Sequence, residues 1–387
     1  MIRRGFVAGA GALLTAARTL PVRADFLDEP IGGSVTFGVI APLTGDDAKL
    51  GEQMGNGVRA ALNEANRLHG ALDKLYQMQT FDDENLLASG LVQAGFAADN
   101  PSIVCVIGHL SGRITQAALR TYVADRMAVI VPASTYDGVT AQGYGNVIRL
   151  VTKDSSEGQL MAQYLRKKIA PKTVVPVYQD GDYGADVVAG FQQQITADKI
   201  ASVPVSFSWS KPDYAAAASA VLAPKPDAVL LAGNAADIGP LAPALRAAGY
   251  NGPLFGSAGM FDPVVTHKFA SSLEGLVIST SMPPLALAPS DYQILSDYGQ
   301  SYGAMTPLAA FSYAAAQIAI AIVHRTGATD HLSFLRALDD TATYQTVVGT
   351  LAFTADGDPF DPVVYFYSVT NGAWKFVAPS HPTGFVL

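Results

Sequence analysis

The sequence is poor in cysteine, histidine and charged residues, and each shortage excludes a class of function. Cys105 is the only cysteine, so the chain can form neither an internal disulfide nor a cysteine metal cluster. The six histidines show no paired metal-ligand spacing, and we expect neither a metal nor a cofactor. Charged residues make up only 15% of the chain and hydrophobic residues 49%, which predicts a large core and excludes the composition of a disordered chain.

The first residues are typical of an export signal. Arg3 and Arg4 precede an uncharged run over 5–17, and 21–24 supplies small residues for cleavage. The apolar part is shorter than the roughly 20 residues of a membrane span, and paired arginines fit the twin-arginine route. We therefore predict that residues 1–24 are a removed signal peptide and that the mature protein is soluble in the periplasm.

The charge of the mature chain excludes two kinds of partner. The net charge of −8 includes four arginines of the predicted leader. Without them the chain keeps 21 basic and 33 acidic residues, a net charge of −12. Such a surface argues against nucleic acid and against anionic lipid headgroups.

A second apolar stretch, 308–323, predicts a buried helix. Thr306 and Pro307 stand before it as a cap and a first helical residue, and Gly327 follows it. The stretch is too short and too polar to cross a bilayer.

The rest of the chain alternates short β-branched runs with helical patterns, which predicts parallel sheets covered by helices, and the length suggests two such sheets. The predicted strands are 35–40, 75–81, 103–107, 128–131, 174–178, 228–232, 253–256, 275–279 and 363–369. Helices are predicted over 52–68 and 155–169, the latter opened by a capping box of Asp154 and Glu157. Pro176, inside a strand, and Pro240 and Pro243, inside a helical pattern, predict shifted, edge or kinked elements.

Two loops that follow predicted strands are candidates for ligand binding. The loop 108–113 leads into a helix whose first N–H groups favour an anion such as a carboxylate. It contains Ser111, Gly112 and Arg113. The loop 133–135 offers the hydroxyls of Ser134 and Thr135. As an alternative, the hydroxyl residues serve only as caps and turn formers.

Several motifs, in order, make the chain resemble the periplasmic binding proteins of ABC importers, in the type I branched-chain amino acid group. These motifs are Gly38-Val-Ile-Ala-Pro-Leu-Thr-Gly45, Val106-Ile-Gly-His-Leu-Ser111, Val131-Pro-Ala-Ser-Thr135, Thr140-Ala-Gln-Gly-Tyr144 and Tyr178-Gln-Asp-Gly-Asp-Tyr-Gly184. The resemblance covers nearly the whole mature chain. It implies two α/β lobes with doubly wound parallel sheets, three hinge crossings, and a ligand held in the cleft between the lobes.

The resemblance also implies lobe limits. Lobe 1 is expected to comprise 31–153 with 282–355, and lobe 2 to comprise 154–281 with 356–387. The hinge candidates are 152–153, 281–284 and 356–358.

Carried over from the family, Ala133 and Thr135 occupy the positions that bind the α-amino and α-carboxylate groups of an amino acid. Tyr183 matches the aromatic residue that the second lobe brings over the ligand. Two positions depart from the pattern. Gly112 stands where the family has a serine hydroxyl, and Asn234 stands where it has a tyrosine.

The departure with the largest consequence is Ala258, which stands where amino acid binders place a glutamate for the ammonium group. An ammonium closed into a cleft without a carboxylate is costly. We therefore predict a small organic acid, aromatic or branched, with Arg113 as a candidate ion partner. Asp180, Asp182 or Asp237 could instead replace the lost carboxylate, which keeps an amino acid ligand as the alternative.

No catalytic constellation is apparent, and we expect no enzyme. The run 108–112 resembles the serine hydrolase elbow, but its serine is fourth rather than third. His109 is a candidate ligand contact without an evident partner for acid–base work. The acidic run 82–84 precedes a helix and is interpreted as its cap.

The leading hypothesis is a monomeric solute receptor that closes on a small molecule and delivers it to a membrane permease. A ligand-sensing receptor of the same fold is the second hypothesis. An exported hydrolase is the third, and loss of turnover on Ser111→Ala would identify it.

Overall fold

The computed structural model of the chain describes residues 33–67, 74–179, 182–208, 212–284, 289–338 and 342–380, so the predicted signal peptide lies outside the described residues. Within them, strands β1 to β15 are Ser34–Ala41, Leu75–Asp82, Ile103–Gly108, Val129–Val131, Val147–Arg149, Thr173–Gln179, Ala201–Ser202, Val205–Phe207, Ala228–Ala232, Leu254–Gly256, Val277–Thr280, Thr343–Thr346, Gly349–Ala352, Val364–Thr370 and Ala373–Ser380. Helices α1 to α12 are Ala48–Arg67, Leu87–Ala98, Gly112–Ala124, Asp154–Ile169, Asp182–Ala197, Tyr214–Leu222, Ala235–Ile238, Leu241–Ala247, Pro263–Lys268, Pro289–Tyr302, Pro307–Thr326 and His331–Ala337. Each predicted strand is confirmed, with its ends within two residues of the prediction.

The first sheet has the strand order β2-β1-β3-β4-β5, and all of its neighbouring pairs are parallel. Helices α1 and α11 cover one face, and α2 and α3 cover the other. Because both faces are covered, β3 is buried along its whole length, as expected for a central parallel strand.

The second sheet has the order β15-β14-β11-β10-β9-β6-β7, with β8 also paired to β6. The prediction of parallel sheets is wrong at one edge, because β14 runs antiparallel to β11 and to β15. A two-residue turn, Asn371-Gly372, joins β14 to β15, and both residues have positive φ, at 53° and 70°. This is the hairpin turn that Asn-Gly favours. An antiparallel pair of β12 and β13 was also not predicted.

Helix α11 is the predicted buried helix. The Thr306 hydroxyl accepts a hydrogen bond from the Ala309 N–H, Pro307 is the first helical residue, and Gly327 ends the helix at a φ of 72°. Among the described residues it is the one helix long and apolar enough to cross a membrane, but 67% of its most apolar window is buried inside the protein. A core helix passes the same test of length and composition.

Pro240 interrupts the helical pattern that contains it, whereas Pro176 lies within β6 and Pro243 lies within α8. Helix α7 ends at Ile238 and α8 begins at Leu241, so Pro240 divides the predicted helix. Pro176 lies between the residues of β6 that pair with β7 and those that pair with β8. A strand tolerates a missing N–H at such an interruption.

The predicted capping box at the start of α4 is wrong. Lys153 is the N-cap residue and makes no side-chain cap, and Asp154 is already the first helical residue. The Glu157 carboxylate instead accepts hydrogen bonds from the Ala258 N–H and the Ser279 hydroxyl, each at 2.7 Å. Because these groups lie in the second sheet region, Glu157 fixes α4 to it rather than capping its own helix.

The chain passes between the two sheet regions three times, after β5, after β11 and before β14. Thr152 connects all three passages. Its N–H donates to the Ser281 hydroxyl at 2.9 Å, and its hydroxyl donates to the Val363 carbonyl at 3.0 Å. The lobe limits expected from the sequence stay a prediction.

Candidate functional site

A cleft of about 470 Å³ lies where strands of both sheets end. Its lining residues are Leu110, Ser111, Gly112, Arg113, Ala133, Ser134, Thr135, Tyr136, Asp154, Tyr183, Asn234, Ala258 and Gly259. These residues follow β3 and β4 of the first sheet and β6, β9 and β10 of the second, apart from Asp154 in α4. The C-terminal ends of parallel strands are the usual place for a ligand in open α/β sheets.

The cleft brings together all nine residues proposed from the sequence, which are Ser111, Gly112, Arg113, Ala133, Ser134, Thr135, Tyr183, Asn234 and Ala258. Their role in binding stays a prediction. Leu110, Tyr136, Asp154 and Gly259 also line the cleft and were not predicted.

The first wall of the cleft is the start of α3. Ser111 is the N-cap residue, and its hydroxyl accepts a hydrogen bond from the Ile114 N–H at 3.5 Å. Gly112 and Arg113 follow as the first helical residues. The first N–H groups of a helix have no acceptor within it. This end of α3 therefore suits an anionic group.

The loop after β4 forms a second part of this wall. Arg149 is fully buried, and its Nη1 donates to the carbonyls of Thr135 at 3.1 Å and Tyr136 at 2.7 Å. These bonds fix the backbone beside Ser134 and Thr135 without using the two hydroxyls.

Gly112 contacts this loop so closely that a side chain does not fit. A Cβ placed on Gly112 would lie 2.4 Å from the Ser134 Oγ and 2.4 Å from the Tyr136 Cβ. The serine that the family resemblance places here would therefore clash with the loop. The loop 133–136 occupies the space that it would need.

The opposite wall comes from the second sheet. The Tyr183 hydroxyl accepts a hydrogen bond from the Gly259 N–H at 2.7 Å. Burial raises the pKa of Tyr183 well above its usual value, and the charges of Glu157 and Asp154 raise it further. Tyr183 therefore presents a neutral phenol to the cleft.

Two predicted residues of this wall, Asn234 and Ala258, bring no charge to the cleft. Asn234 is exposed and precedes α7 without a side-chain cap. The Ala258 N–H is engaged by Glu157, at 2.7 Å. Of the alternative acidic residues, Asp180 lies outside the described residues, nothing is described of the Asp182 side chain, and Asp237 is not in the cleft lining.

A carboxyl group does line the cleft, from a residue that the sequence analysis interpreted as a cap. Asp154 is 1% exposed, and its Oδ1 has no hydrogen-bond partner among the described residues. Burial raises the pKa of Asp154 well above its usual value, and the carboxylates of Glu157 and two other acidic residues raise it further. A hydrogen bond with the Thr135 side chain opposes this shift. Asp154 therefore holds its proton more strongly than an ordinary aspartate, and it lines the cleft in which a ligand would bind.

His109 is not a cleft residue, and that prediction is wrong. The ring is fully buried, with Nδ1 2.7 Å from the Asp83 Oδ2 and Nε2 2.9 Å from the Tyr122 hydroxyl.

The prediction that the acidic run 82–84 caps α2 is also wrong. The N-cap residue Leu86 makes no side-chain cap, and Asp83 anchors His109 beneath the loop that carries Ser111.

Another cavity, of about 280 Å³, lies between α1, α10 and α11. Its carboxylates already have partners, because Arg67 pairs with Asp297 at 3.0 Å and Glu64 is bonded to the Tyr313 hydroxyl. It lies away from the strand ends, so the interlobe cleft is the better candidate site. In the described ranges, no group of three or more His, Cys, Asp or Glu side chains is arranged to hold a metal.

The chain is similar to several known proteins in sequence and in fold. The chain is similar to the Leu/Ile/Val-binding protein homolog 3 of Brucella melitensis, with 25% identity over 344 residues, 87% of this chain and 92% of that protein. A leucine-binding protein of Thermotoga maritima shares the fold at a TM-score of 0.79 and 23% identity, covering 90% of this chain and 99% of that one. A solute-binding protein of Rhodopseudomonas palustris, solved with 3,4-dihydroxybenzoic acid, has a TM-score of 0.77 at 17% identity, covering 90% and 97%.

The resemblance drawn from the motifs is therefore confirmed, and so is the type I fold with its two sheet regions, apart from the antiparallel edge. A family model described as "Periplasmic binding protein" matches residues 34–373, nearly all of the described chain. The chain belongs to the periplasmic binding protein family.

Proposed function

We propose that this protein is the periplasmic receptor of an ABC importer and that it captures a small carboxylate-bearing ligand in the interlobe cleft. The observation that carries the proposal is the cleft itself, in which the start of α3 lines one space together with Ser134 and Thr135. Family membership, the names of related proteins and the predicted export signal support the same role.

The ligand we propose is an organic acid, aromatic or branched. Helix N–H groups, two hydroxyls and Arg113 suit its carboxylate. Leu110, Tyr136 and Tyr183 offer apolar surface for its body. The raised pKa of Asp154 reduces its repulsion of an acid, and Ala258 adds no second carboxyl group. The Rhodopseudomonas palustris protein of this fold was solved with 3,4-dihydroxybenzoic acid, which is an aromatic acid of this kind.

A branched-chain amino acid is the second candidate, and one observation favours it. The unpartnered Oδ1 of Asp154 lies in the cleft lining, where an ammonium group would supply the missing donor. The ammonium charge would favour the ionised form of Asp154, which burial disfavours. The names of the curated relatives agree with this candidate.

Ligand capture requires only a shift between open and closed states. A molecule that contacts both walls binds the closed state better, so it raises the closed population by that difference in affinity. We propose that a membrane permease recognises the closed surface. A sensor of the same fold would use the same closure.

A hydrolase has less support. The Ser111 hydroxyl accepts a hydrogen bond from the Ile114 N–H, and the His109 ring is engaged by Asp83 and Tyr122. Among the described residues, no side chain that could act as a general base is hydrogen-bonded to the Ser111 hydroxyl. Turnover that is lost on Ser111→Ala would nevertheless overturn the receptor proposal.

The proposal is tested by a thermal-shift screen of protein purified from the periplasm, comparing leucine, isoleucine and valine with benzoate, 3,4-dihydroxybenzoate and 4-methylpentanoate. Stabilisation by an acid without an amino group is the expected result. Stabilisation by leucine alone would contradict the organic acid and support the second candidate. Absence of any binding by small carboxylates would contradict both.

Asp154→Asn then separates the two ligand classes. Asn keeps the shape but cannot ionise, so affinity for an organic acid should stay within about threefold. Affinity for an amino acid should fall by about 1.5–3 kcal/mol, the contribution of a hydrogen bond to a charged group. Calorimetry in two buffers of different ionisation enthalpy should detect proton release only for the amino acid.

A further inference from the structure

Helix α4 is capped by a residue from the other sheet region. Its own N-cap residue, Lys153, makes no side-chain cap. The Ser155 N–H donates instead to the Asp137 Oδ1 at 3.0 Å, and the Ser155 hydroxyl donates to the Asp137 Oδ2. Asp137 lies between β4 and β5 of the first sheet, 18 positions before Ser155. It thus supplies the acceptor that an N-cap side chain usually provides.

The loop that carries Asp137 also holds the residue before Ser155. The Asp154 N–H donates to the Thr135 carbonyl at 2.9 Å, and the Asp154 carboxyl is hydrogen-bonded with the Thr135 side chain. Two consecutive residues of α4 are therefore fixed to the loop 135–137. Thr135 and Asp154 both line the cleft, whereas Asp137 is not one of the lining residues. The position of Asp154 in the cleft depends on these attachments.

The body of α4 is packed in the second sheet region. A Cβ on Gly158 would lie 2.0 Å from the Val187 carbonyl oxygen, and one on Gly190 would lie 1.9 Å from the Ser155 carbonyl oxygen, so α4 and α5 are in close contact. The bonds of Asp137 therefore join the two walls of the cleft at the passage after β5. Rotation of one wall against the other has to turn about this point or break the bonds.

Asp137 also adds a negative charge beside Asp154. Burial is the largest cause of the raised pKa of Asp154, and the nearby carboxylates raise it further. Asp137 thus acts on Asp154 in two ways, by hydrogen bonds that place α4 and by a charge that disfavours ionisation. The titratable and charged groups that surround Asp154 or share the cleft with it are Asp137 in the loop after β4, Glu157 in α4, Tyr183 and Asp186 in α5, and Arg113 in α3.

We propose that Asp137 is a positioning residue of the cleft, which caps α4 from the first sheet region and thereby holds Asp154 against Thr135. The inference rests on the proposed function, because Thr135 and Asp154 line the cleft assigned to the ligand. Asp137 acts on the ligand only through these two residues.

Calorimetric titration with leucine and with benzoate tests the effect on binding. In Asp137→Ala the start of α4 loses its acceptor, and affinity for the compound that binds the wild type should fall about tenfold. Asp137→Asn keeps an acceptor for the Ser155 N–H and should restore most of the affinity. Ser155→Ala, which removes one of the two bonds, should give a smaller loss in the same direction.

The matched control is Asp213→Ala, which also removes a helix cap. The Asp213 side chain accepts a hydrogen bond from the Ala216 N–H at 2.9 Å at the start of α6, outside the cleft lining. This variant should lose stability but keep its affinity. An equal change of affinity in Asp137→Ala and Asp213→Ala would overturn the proposal.

Titration of Asp154 in the ligand-free protein gives a second measurement, from the NMR shift of its carboxyl carbon, with Asp154→Asn to assign the signal. The midpoint should be highest in the wild type and lower in Asp137→Asn, which lacks the charge. It should be lowest in Asp137→Ala, in which water reaches Asp154 and its pKa falls toward the ordinary 3.8. Asp99→Asn, at an exposed aspartate outside the cleft lining, should leave the midpoint unchanged.

The two measurements separate this inference from the proposed function. Equal midpoints in Asp137→Ala and Asp137→Asn would show an effect of charge alone and overturn the positioning role. If neither compound binds the wild type while the midpoints follow the expected order, the proposed ligand classes fail and the role of Asp137 stands.

Discussion

Arg149 and Asp358 form an ion pair in which the arginine is fully buried and its Nε lies 3.0 Å from the Asp358 Oδ1. Through Nη1 the same guanidinium holds the carbonyls of Thr135 and Tyr136. Asp358 lies shortly before the chain returns to the second sheet at β14. It thus neutralises Arg149, the residue that holds the loop of the cleft. The loop geometry depends on a pair 209 positions apart in sequence.

Asp358→Ala should therefore lower both stability and ligand affinity. It leaves the Arg149 charge buried without its partner, and we expect a loss of about 2–4 kcal/mol in the free energy of unfolding. Chemical denaturation measures this loss. Asp356→Ala, at an exposed aspartate two positions earlier, is the control. An equal effect of the two substitutions would contradict the role given to the pair.

The same pair predicts a loss of stability in acid. Although burial of Asp358 favours its neutral form, Arg149 and hydrogen bonds from Arg149 and Thr140 hold the pKa of this carboxyl below its usual value of 3.8. Its stabilising effect is therefore present above pH 3.8 and is lost as the pH falls through the lowered pKa. In the Asp358→Asn variant the free energy of unfolding should lack this part of its decrease at low pH. Denaturation curves measured at a series of pH values test this.

Thr135→Ala should weaken ligand binding by about 1–3 kcal/mol if the hydroxyl is buried against the ligand carboxylate. The substitution also removes the hydrogen bond with Asp154, so Thr135→Ser, which keeps the hydroxyl, is the control. Isothermal titration calorimetry measures both. Unchanged affinity in the alanine variant would contradict the assignment of Thr135 to the site.

Gly112→Ser, which introduces the hydroxyl expected from the family pattern, should reduce affinity rather than increase it. Its Cβ would lie 2.4 Å from both Ser134 and Tyr136, and overpacking of this kind costs about 1–3 kcal/mol. The loop 133–136 would have to move, and the cleft would change with it. If calorimetry shows that the variant binds ligand more tightly than the wild type, the loop 133–136 moves to accommodate the serine without loss of affinity.

The cleft was predictable because its residues follow strands whose apolar runs are clear in the sequence. Ser111 and Thr135 follow β3 and β4, which are adjacent, and Ala258 follows β10 in the second sheet. Asp154 was missed because an acidic residue at a helix start is usually a cap, and nothing local distinguishes one that lines a cleft. His109 was misassigned because its partners come from other elements, β2–α2 and α3. Its only local signal was its place in a loop.

The burial of Glu157 predicts that the free energy of unfolding falls as the pH rises. Burial raises the pKa of Glu157 to about 7, against an ordinary value of 4.5, although Ser279 and the Ala258 N–H favour its ionised form. Below pH 4.5 the carboxyl is protonated in both folded and unfolded chains. Between 4.5 and about 7 the unfolded chain loses the proton while the folded chain keeps it, so the free energy of unfolding decreases by about 3 kcal/mol in total.

Glu157→Gln should remove this dependence. Both hydrogen bonds are accepted by the same atom, Oε1, and the amide oxygen of glutamine can accept both while carrying no charge. The variant should therefore match the wild type near pH 4.5 and exceed it in stability at pH 8, as measured by urea denaturation at each pH. Glu52→Gln, at an exposed glutamate, should leave the pH profile unchanged. If Glu157→Gln instead lowers stability at pH 8, the ionised carboxylate is needed to hold α4 against the second sheet.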